Sequence, residues 1–210
     1  MNFDIISSNS KGNCVILENR VAIDCGVPFK LLRNVAKFLQ LVLLTHKHAD
    51  HFNAATVRKL ASERPALRWG VPKWLVERVV DCGVDSRVID VMQMDRQVKW
   101  GEIRAMPFEL FHDVPNCGYR IEINGKTAVY ATDTSGIDHI DAKGYDLYLI
   151  EANYDVGELA ERVKQKETDG EYVYESRVVK NHLSKQATDE WIFANATKKS
   201  RFVYLHEHED

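Results

Sequence analysis

The chain has 210 residues, 28 Lys and Arg against 31 Asp and Glu, a formal net charge of −3, and 45% hydrophobic residues. That length predicts one domain, spanning 1–210, with a sizeable core. The near-neutral balance excludes a strongly basic nucleic-acid coat, though not a nuclease that grips phosphates locally. No apolar run approaches the ~18–20 residues that span a bilayer. The N-terminus, MNFDIISSNS, has neither the basic nor the apolar region of a signal peptide. A cytoplasmic protein without membrane contact is therefore expected. Cys14, Cys25, Cys82 and Cys117 form no C-x-x-C pair, so reduced, mostly buried thiols are expected rather than a cysteine zinc site.

The first quarter reads as short strands, Phe3–Ile6, Cys14–Leu17 and Val21–Ile23, separated by turn-like SSNSKGN and ENR. Pro28 opens a helix with Leu31, Leu32, Val35, Phe38 and Leu39 on one face. Leu41–Leu44 reads as a strand buried on both sides. Ala54–Leu60 predicts a helix, Ala66–Val71 a strand, and Lys73–Val80 a helix closed by Gly83. Further strands are predicted at Val88–Val91, Glu102–Leu110, Tyr119–Ile123, Thr127–Ala131 and Tyr145–Ile150, with Asn124-Gly125 as a hairpin turn. Val156, Leu159, Ala160 and Val163 predict a helix, and Glu167–Glu175 an exposed polar loop. Ser184 caps a helix to about Ala194, and Phe202–Leu205 is a last strand. The four tryptophans, Trp69, Trp74, Trp100 and Trp191, read as packing. Lys30, Arg33 and Lys37, at helical spacing, read as a solvated face. The pattern predicts a mixed α/β layered sandwich of two sheets with helices outside.

The chemistry concentrates in Thr45-His46-Lys47-His48-Ala49-Asp50-His51, directly after a buried strand. Imidazole and carboxylate suit zinc, manganese or iron. His46 and His48, two apart in an extended segment, project to one side and can reach one metal. A turn into the next helix would swing Asp50 and His51 towards a second.

His-x-His-x-Asp-His after an apolar strand resembles the signature of the metallo-β-lactamase-fold hydrolases, a four-layer αββα sandwich. The resemblance implies further ligands in order along the chain. His112 in Phe111-His112-Asp113, Asp133 in Ala131-Thr132-Asp133-Thr134 and His182 in Asn181-His182-Leu183-Ser184 fill those places. The whole pattern is most similar to the YycJ/WalJ-type branch. It includes the Ser7–Asn13 loop, His112-Asp113 leading to Gly118-Tyr119, and Glu151-Ala152-Asn153-Tyr154-Asp155. That branch is associated with DNA exonuclease activity from the 5′ end. The chain departs from it in a longer, more polar stretch between Asp155 and His182, in Asn181 where glycine is usual, and at its His206-Glu207-His208 end.

By resemblance, His46, His48 and His112 hold one divalent cation. Asp50, His51 and His182 hold the other, and Asp133 bridges. Two such ions, about 3.5–4 Å apart, can share a hydroxide and make it a nucleophile near neutral pH. The resemblance thus implies a two-metal phosphodiesterase loaded with Zn or Mn, Fe being the third alternative, with nucleic acid, DNA first, as partner. Asp50 is also expected to orient the water or take its proton, and His206 to donate a proton to the scissile group. A surface histidine like His208 is the competing reading for His206. Asp24, at a strand end, is expected behind the ligand histidines, with a turn aspartate before Gly26 as the equal alternative. Ser8, Asn9 and Ser10 are expected to grip a phosphate. Asn153 and Tyr154 are expected to line the cleft, Tyr154 either stacking on a base or simply packing. The alternative function is a small-molecule ester, thioester or lactone hydrolase of the same fold. A ligand-depleted binding module would lack positions that this sequence keeps. The sequence leaves the oligomeric state open.

Overall fold

The computed structural model describes residues 1–173 and 175–207; His208, named above, lies outside them. The chain forms two compact units, one up to Pro107 and one from Phe108.

In the first unit, β1 (Phe3–Asn9), β2 (Gly12–Leu17) and β3 (Val21–Ile23) form an antiparallel meander. The chain then alternates helix and strand: α1 (Phe29–Ala36), β4 (Leu41–Leu43), α2 (Ala54–Glu63), β5 (Arg68–Pro72), α3 (Val76–Asp81) and β6 (Ile89–Met92). Strands β3 to β6 pair in parallel, which is what intervening helices permit. The sheet order is β1-β2-β3-β4-β5-β6. Its inner strands, β2 to β5, are mostly apolar because both faces are covered: Ile16, Leu17, Val42, Leu43, Trp69 and Val71 are fully buried. Helix α1 turns Leu32 and Ala36 into this core. Leu31 and Phe38, predicted on its apolar face, are exposed instead: Leu31 stands about 100° round the helix from buried Leu32, and α1 ends at Ala36, before Phe38. Asn53 caps α2 by accepting from the Thr56 N–H at 3.1 Å.

A short strand, β7 (Val98–Trp100), which periodicity missed, pairs with β8 (Ile103–Leu110), the strand that carries the chain into the second unit. There follow β9 (Asn116–Ile123), β10 (Lys126–Ala131), β11 (Leu147–Glu151), α4 (Val156–Asp169), α5 (Glu175–Asn181), α6 (Lys185–Asn195) and β12 (Arg201–Leu205). The second sheet is ordered β12-β11-β10-β9-β8-β7. Asn124 and Gly125 join β9 to β10 with positive φ at both positions, the turn that matches strand twist. Strands β10, β11 and β12 are parallel. Val129, Ala131, Tyr148, Ile150, Trp191 and Ile192 are among the residues of this unit's core.

The polar stretch 167–175 is not one loop. Its first residues finish α4, which Gly170 closes in the left-handed conformation, and Glu175 begins α5. Buried Glu175 meets Lys166 at 2.5 Å, so a polar sequence here carries a tertiary ion pair. None of the four cysteines is in a disulfide, and all four are buried. Burial pushes the Cys14 and Cys25 thiols upward, which keeps them unreactive. No described helix is long and apolar enough to cross a membrane.

Candidate metal-ligand clusters

In the first unit the site residues leave the carboxyl ends of two adjacent parallel strands, β3 and β4. Asp24 follows β3, is fully buried and has φ 60°. Its backbone N–H still donates to the Leu43 carbonyl at 2.8 Å. Its carboxylate accepts from the Thr45 N–H at 2.9 Å, from the Thr45 hydroxyl at 2.8 Å and from His51 Nδ1 at 2.7 Å. The Thr45 hydroxyl lies 3.0 Å from His46 Nδ1. Since it donates to Asp24, it accepts from that nitrogen. One buried carboxylate therefore ties back the Nδ1–H of His51 directly and of His46 through Thr45. Both rings then present Nε2.

The His46 and His51 rings lie 4.2 Å apart, centroid to centroid, and His46 and His48 4.8 Å apart. The His48 carbonyl accepts from the N–H groups of His51 and Phe52, which curls the loop after the strand. Asn13 Nδ2 donates to His51 Nε2 at 2.9 Å and to Asp50 Oδ2 at 3.1 Å. Asp50 Oδ2 is itself 3.5 Å from His51 Nε2. Gly26 lets this loop settle: a Cβ there would stand 1.6 Å from the Asp50 carbonyl oxygen. Three imidazoles and a carboxylate on one loop, with two rings held in a fixed tautomer, form a donor set suited to zinc or manganese.

Ser8 and Asn9 belong to β1, with Ser8 opposite Asn13 and Asn9 opposite Gly12. The predicted phosphate-gripping loop is thus mostly hairpin strand, with exposed Ser10 at its turn. Asn13, on the β2 side, is the member that touches Asp50 and His51. The sequence motif contained it, but nothing in its pattern singled it out from its neighbours.

In the second unit three adjacent parallel strands, β10, β11 and β12, deliver Asp133, Glu151 and His206 at their carboxyl ends. Asp133 and His206 both have left-handed backbones, φ 59° and 52°. Asp133, Glu151, His182 and His206 each offer a donor atom within 4.8 Å of the others. Within that group the pairing is uneven. His206 Nδ1 is 3.0 Å from Asp133 Oδ1 and 3.7 Å from Glu151 Oε1. His182 Nδ1 is 2.5 Å from Glu151 Oε1 and 3.7 Å from Asp133 Oδ1. The other Glu151 oxygen accepts from the N–H groups of Thr134 at 3.1 Å and Leu183 at 3.2 Å. Burial pushes the Glu151 carboxyl upward, while its bond to His182 pulls it down. Glu151 opens the Glu151–Asp155 segment of the family pattern, but the sequence assigns it no role, because a carboxylate ending an apolar run equally suits a strand end at the surface. It is in fact fully buried.

His112 follows β8, with its side chain almost wholly buried and Nε2 3.2 Å from Asp113 Oδ1. Its ring centroid lies 5.7 Å from that of His182. Asn116 Nδ2 donates to the carbonyls of Thr132 and Asp133, which fixes the turn carrying Asp133. Asn153 Nδ2 donates to the His206 carbonyl at 2.8 Å. Asn153 and Tyr154 line a cavity of about 180 Å³ together with Arg162 and Lys185.

The solved structures that resemble the chain include the following three. Human tRNase Z, short form, superposes with TM-score 0.74 at 16% identity, over 100% of this chain and 93% of that one. Zn²⁺-bound PqqB from Methylobacterium extorquens gives 0.65 at 12% identity, over 99% and 89%. A diphosphatase of the PhnP family gives 0.61 at 16% identity, over 98% and 86%. At these identities the likeness concerns the fold. No curated protein sequence matches the chain. Residues 19–206 match the family described as the beta-lactamase superfamily domain. The chain belongs to that family, and its two sheets with their helices have the metallo-β-lactamase fold.

Proposed function

We propose that the chain is a two-metal phosphodiesterase of the YycJ/WalJ type that removes nucleotides from the 5′ end of DNA, residues 1–210 acting as one functional domain. The donor chemistry of the two clusters carries this reading. Two of the structural neighbours are a tRNase and a diphosphatase, which favours a phosphate ester as substrate. When bound, two divalent cations, Zn or Mn with Fe as the third alternative, would supply Lewis acidity and an activated water.

His46, His48 and His112 would hold one ion, Asp50 and His51 the other, and Asp133 both. The contacts of the second unit favour exchanging the roles that the sequence gives to His182 and His206. His206, 3.0 Å from the Asp133 carboxylate, is the better last ligand. His182, bonded through Nδ1 to buried Glu151, is the better proton donor, because that carboxylate orients the ring and stabilises it when protonated. His182 Nε2 would then hand its proton to the leaving oxygen. Asp50 would orient the attacking water. Asn13 would hold the Asp50 carboxylate in place, and Asn153 would hold the His206 backbone.

The test uses purified protein loaded with Zn²⁺ or Mn²⁺ and 5′- or 3′-labelled DNA and RNA. EDTA and Asp50→Ala serve as controls. Metal-dependent loss from the 5′ end of DNA, absent in both controls, is expected. No cleavage by protein carrying two metals per chain would transfer the assignment to a small-molecule ester, thioester or lactone hydrolase. His206→Gln is expected to lose metal. His182→Gln is expected to keep it and lose turnover.

A further inference from the structure

Lys47 and Ala49 alternate with the histidines of the metal motif. In an extended segment they face the opposite way from His46 and His48. On that side the first unit has a cavity of about 390 Å³, walled by the start of α2 and the end of α3. Its charges are unbalanced: Lys47, Arg58 and Arg78 meet a single acid, Asp81, in a chain whose net charge is −3. All three cations are exposed. Arg78 donates to the Lys47 carbonyl at 3.0 Å, and its guanidinium lies 5.9 Å from the centre of the Phe52 ring. The α3 side of the cavity is thus fastened to the loop that carries the histidines. Cys82 lines the same cavity; burial pushes its thiol up, Arg58 pulls it down, Asp81 pushes it up and Arg78 pulls it down.

We propose that this cavity is a phosphate subsite, in which Lys47, Arg58 and Arg78 hold a backbone phosphate of a single strand away from the bond being cut. The inference rests on the nucleic-acid reading above. Guanidinium groups offer several donors in a fixed fork and suit phosphate oxygens. A site of this kind adds affinity without base selectivity. It also keeps a strand engaged after each nucleotide leaves.

Arg58 is the residue to test, because it is exposed on α2 and alanine there favours the helix. Metal-loaded protein is titrated with a fluorescein-labelled single-stranded oligonucleotide carrying phosphorothioate linkages, at several salt concentrations. Affinity should fall in the order wild type, Arg58→Lys, Arg58→Ala, Arg58→Glu. For Arg58→Ala the log–log salt slope should shrink by about 0.7, the value for one contact to a single strand, so affinity at 0.1 M salt falls roughly fivefold. Equal affinity and slope in all four proteins would overturn the subsite, even if the wild type digests DNA. Arg58-dependent binding without cleavage by the two-metal protein would overturn the nuclease reading and leave the subsite standing. A wild type that does not bind the strand would overturn both.

Discussion

Asp24→Asn tests the deepest dependency in the first unit. Asparagine tolerates the left-handed backbone at this position, so the main chain has no reason to move. One oxygen survives and can keep the Thr45 N–H and hydroxyl, both of which approach Oδ1. The amide nitrogen replaces Oδ2, 2.7 Å from His51 Nδ1, and sets a donor against a donor. His51 then either loses that bond or moves its proton to Nε2, the nitrogen that the proposed centre needs bare. A lost hydrogen bond to a charged group costs about 1.5–3 kcal/mol. At ~1.4 kcal/mol per decade that is roughly 10–100-fold in affinity, the range found when such outer carboxylates are removed around metal sites. The assay is competition for Zn²⁺ against a chromogenic chelator, with far-UV circular dichroism as the control for folding. A folded Asp24→Asn protein whose zinc affinity stays within twofold of wild type would refute the reasoning.

Gly26→Ala should lose metal and about 1–3 kcal/mol of stability, since the Cβ strikes backbone atoms that cannot rotate away; an unchanged urea midpoint would contradict this. Glu151→Gln keeps volume but presents an amide to His182, so kcat should fall about 10–100-fold while metal content holds. Equal kcat would count against the dyad. Asp155 caps α4 by accepting from the N–H groups of Glu158 and Gly157 and from Gln186, and these bonds hold its carboxyl below the usual range. A lowered folded pKa stabilises above the unfolded value, and that contribution is lost as pH falls through the folded one. Protection factors of the first-turn amides of α4, taken against the intrinsic exchange rate at each pH, should therefore fall on acidification through the carboxylate range in wild type but not in Asp155→Asn. Identical pH profiles in the two proteins would refute the cap.

Most strands were legible because apolar runs such as Leu41–Leu44, too short to be helices that cross a bilayer, have few other uses. The His-x-His-x-Asp-His segment was legible because four donors in six positions at a strand end have little structural purpose. Helix α5 was not legible: ESRVVKN is short and polar, and its anchor is the ion pair of Glu175 with a lysine one element away. Glu151 and Thr45 escaped for a related reason. Their roles consist of hydrogen bonds to residues remote in sequence, and periodicity carries no trace of those. On the proposed assignment, the roles of His182 and His206 turn on which ring Glu151 binds, a question that spacing does not pose.

The left-handed backbones at Asp24, Asp133 and His206 set thermal robustness against chemistry. Each stands one or two residues past a parallel strand, where the chain bends and aims a side chain along the sheet's end. Aspartate accepts that conformation readily, but a histidine there costs about 1–2 kcal/mol that glycine would release. Selection for heat resistance alone would therefore drift towards glycine at position 206. If His206 holds a metal as proposed, the product would be a sturdier scaffold without the reaction.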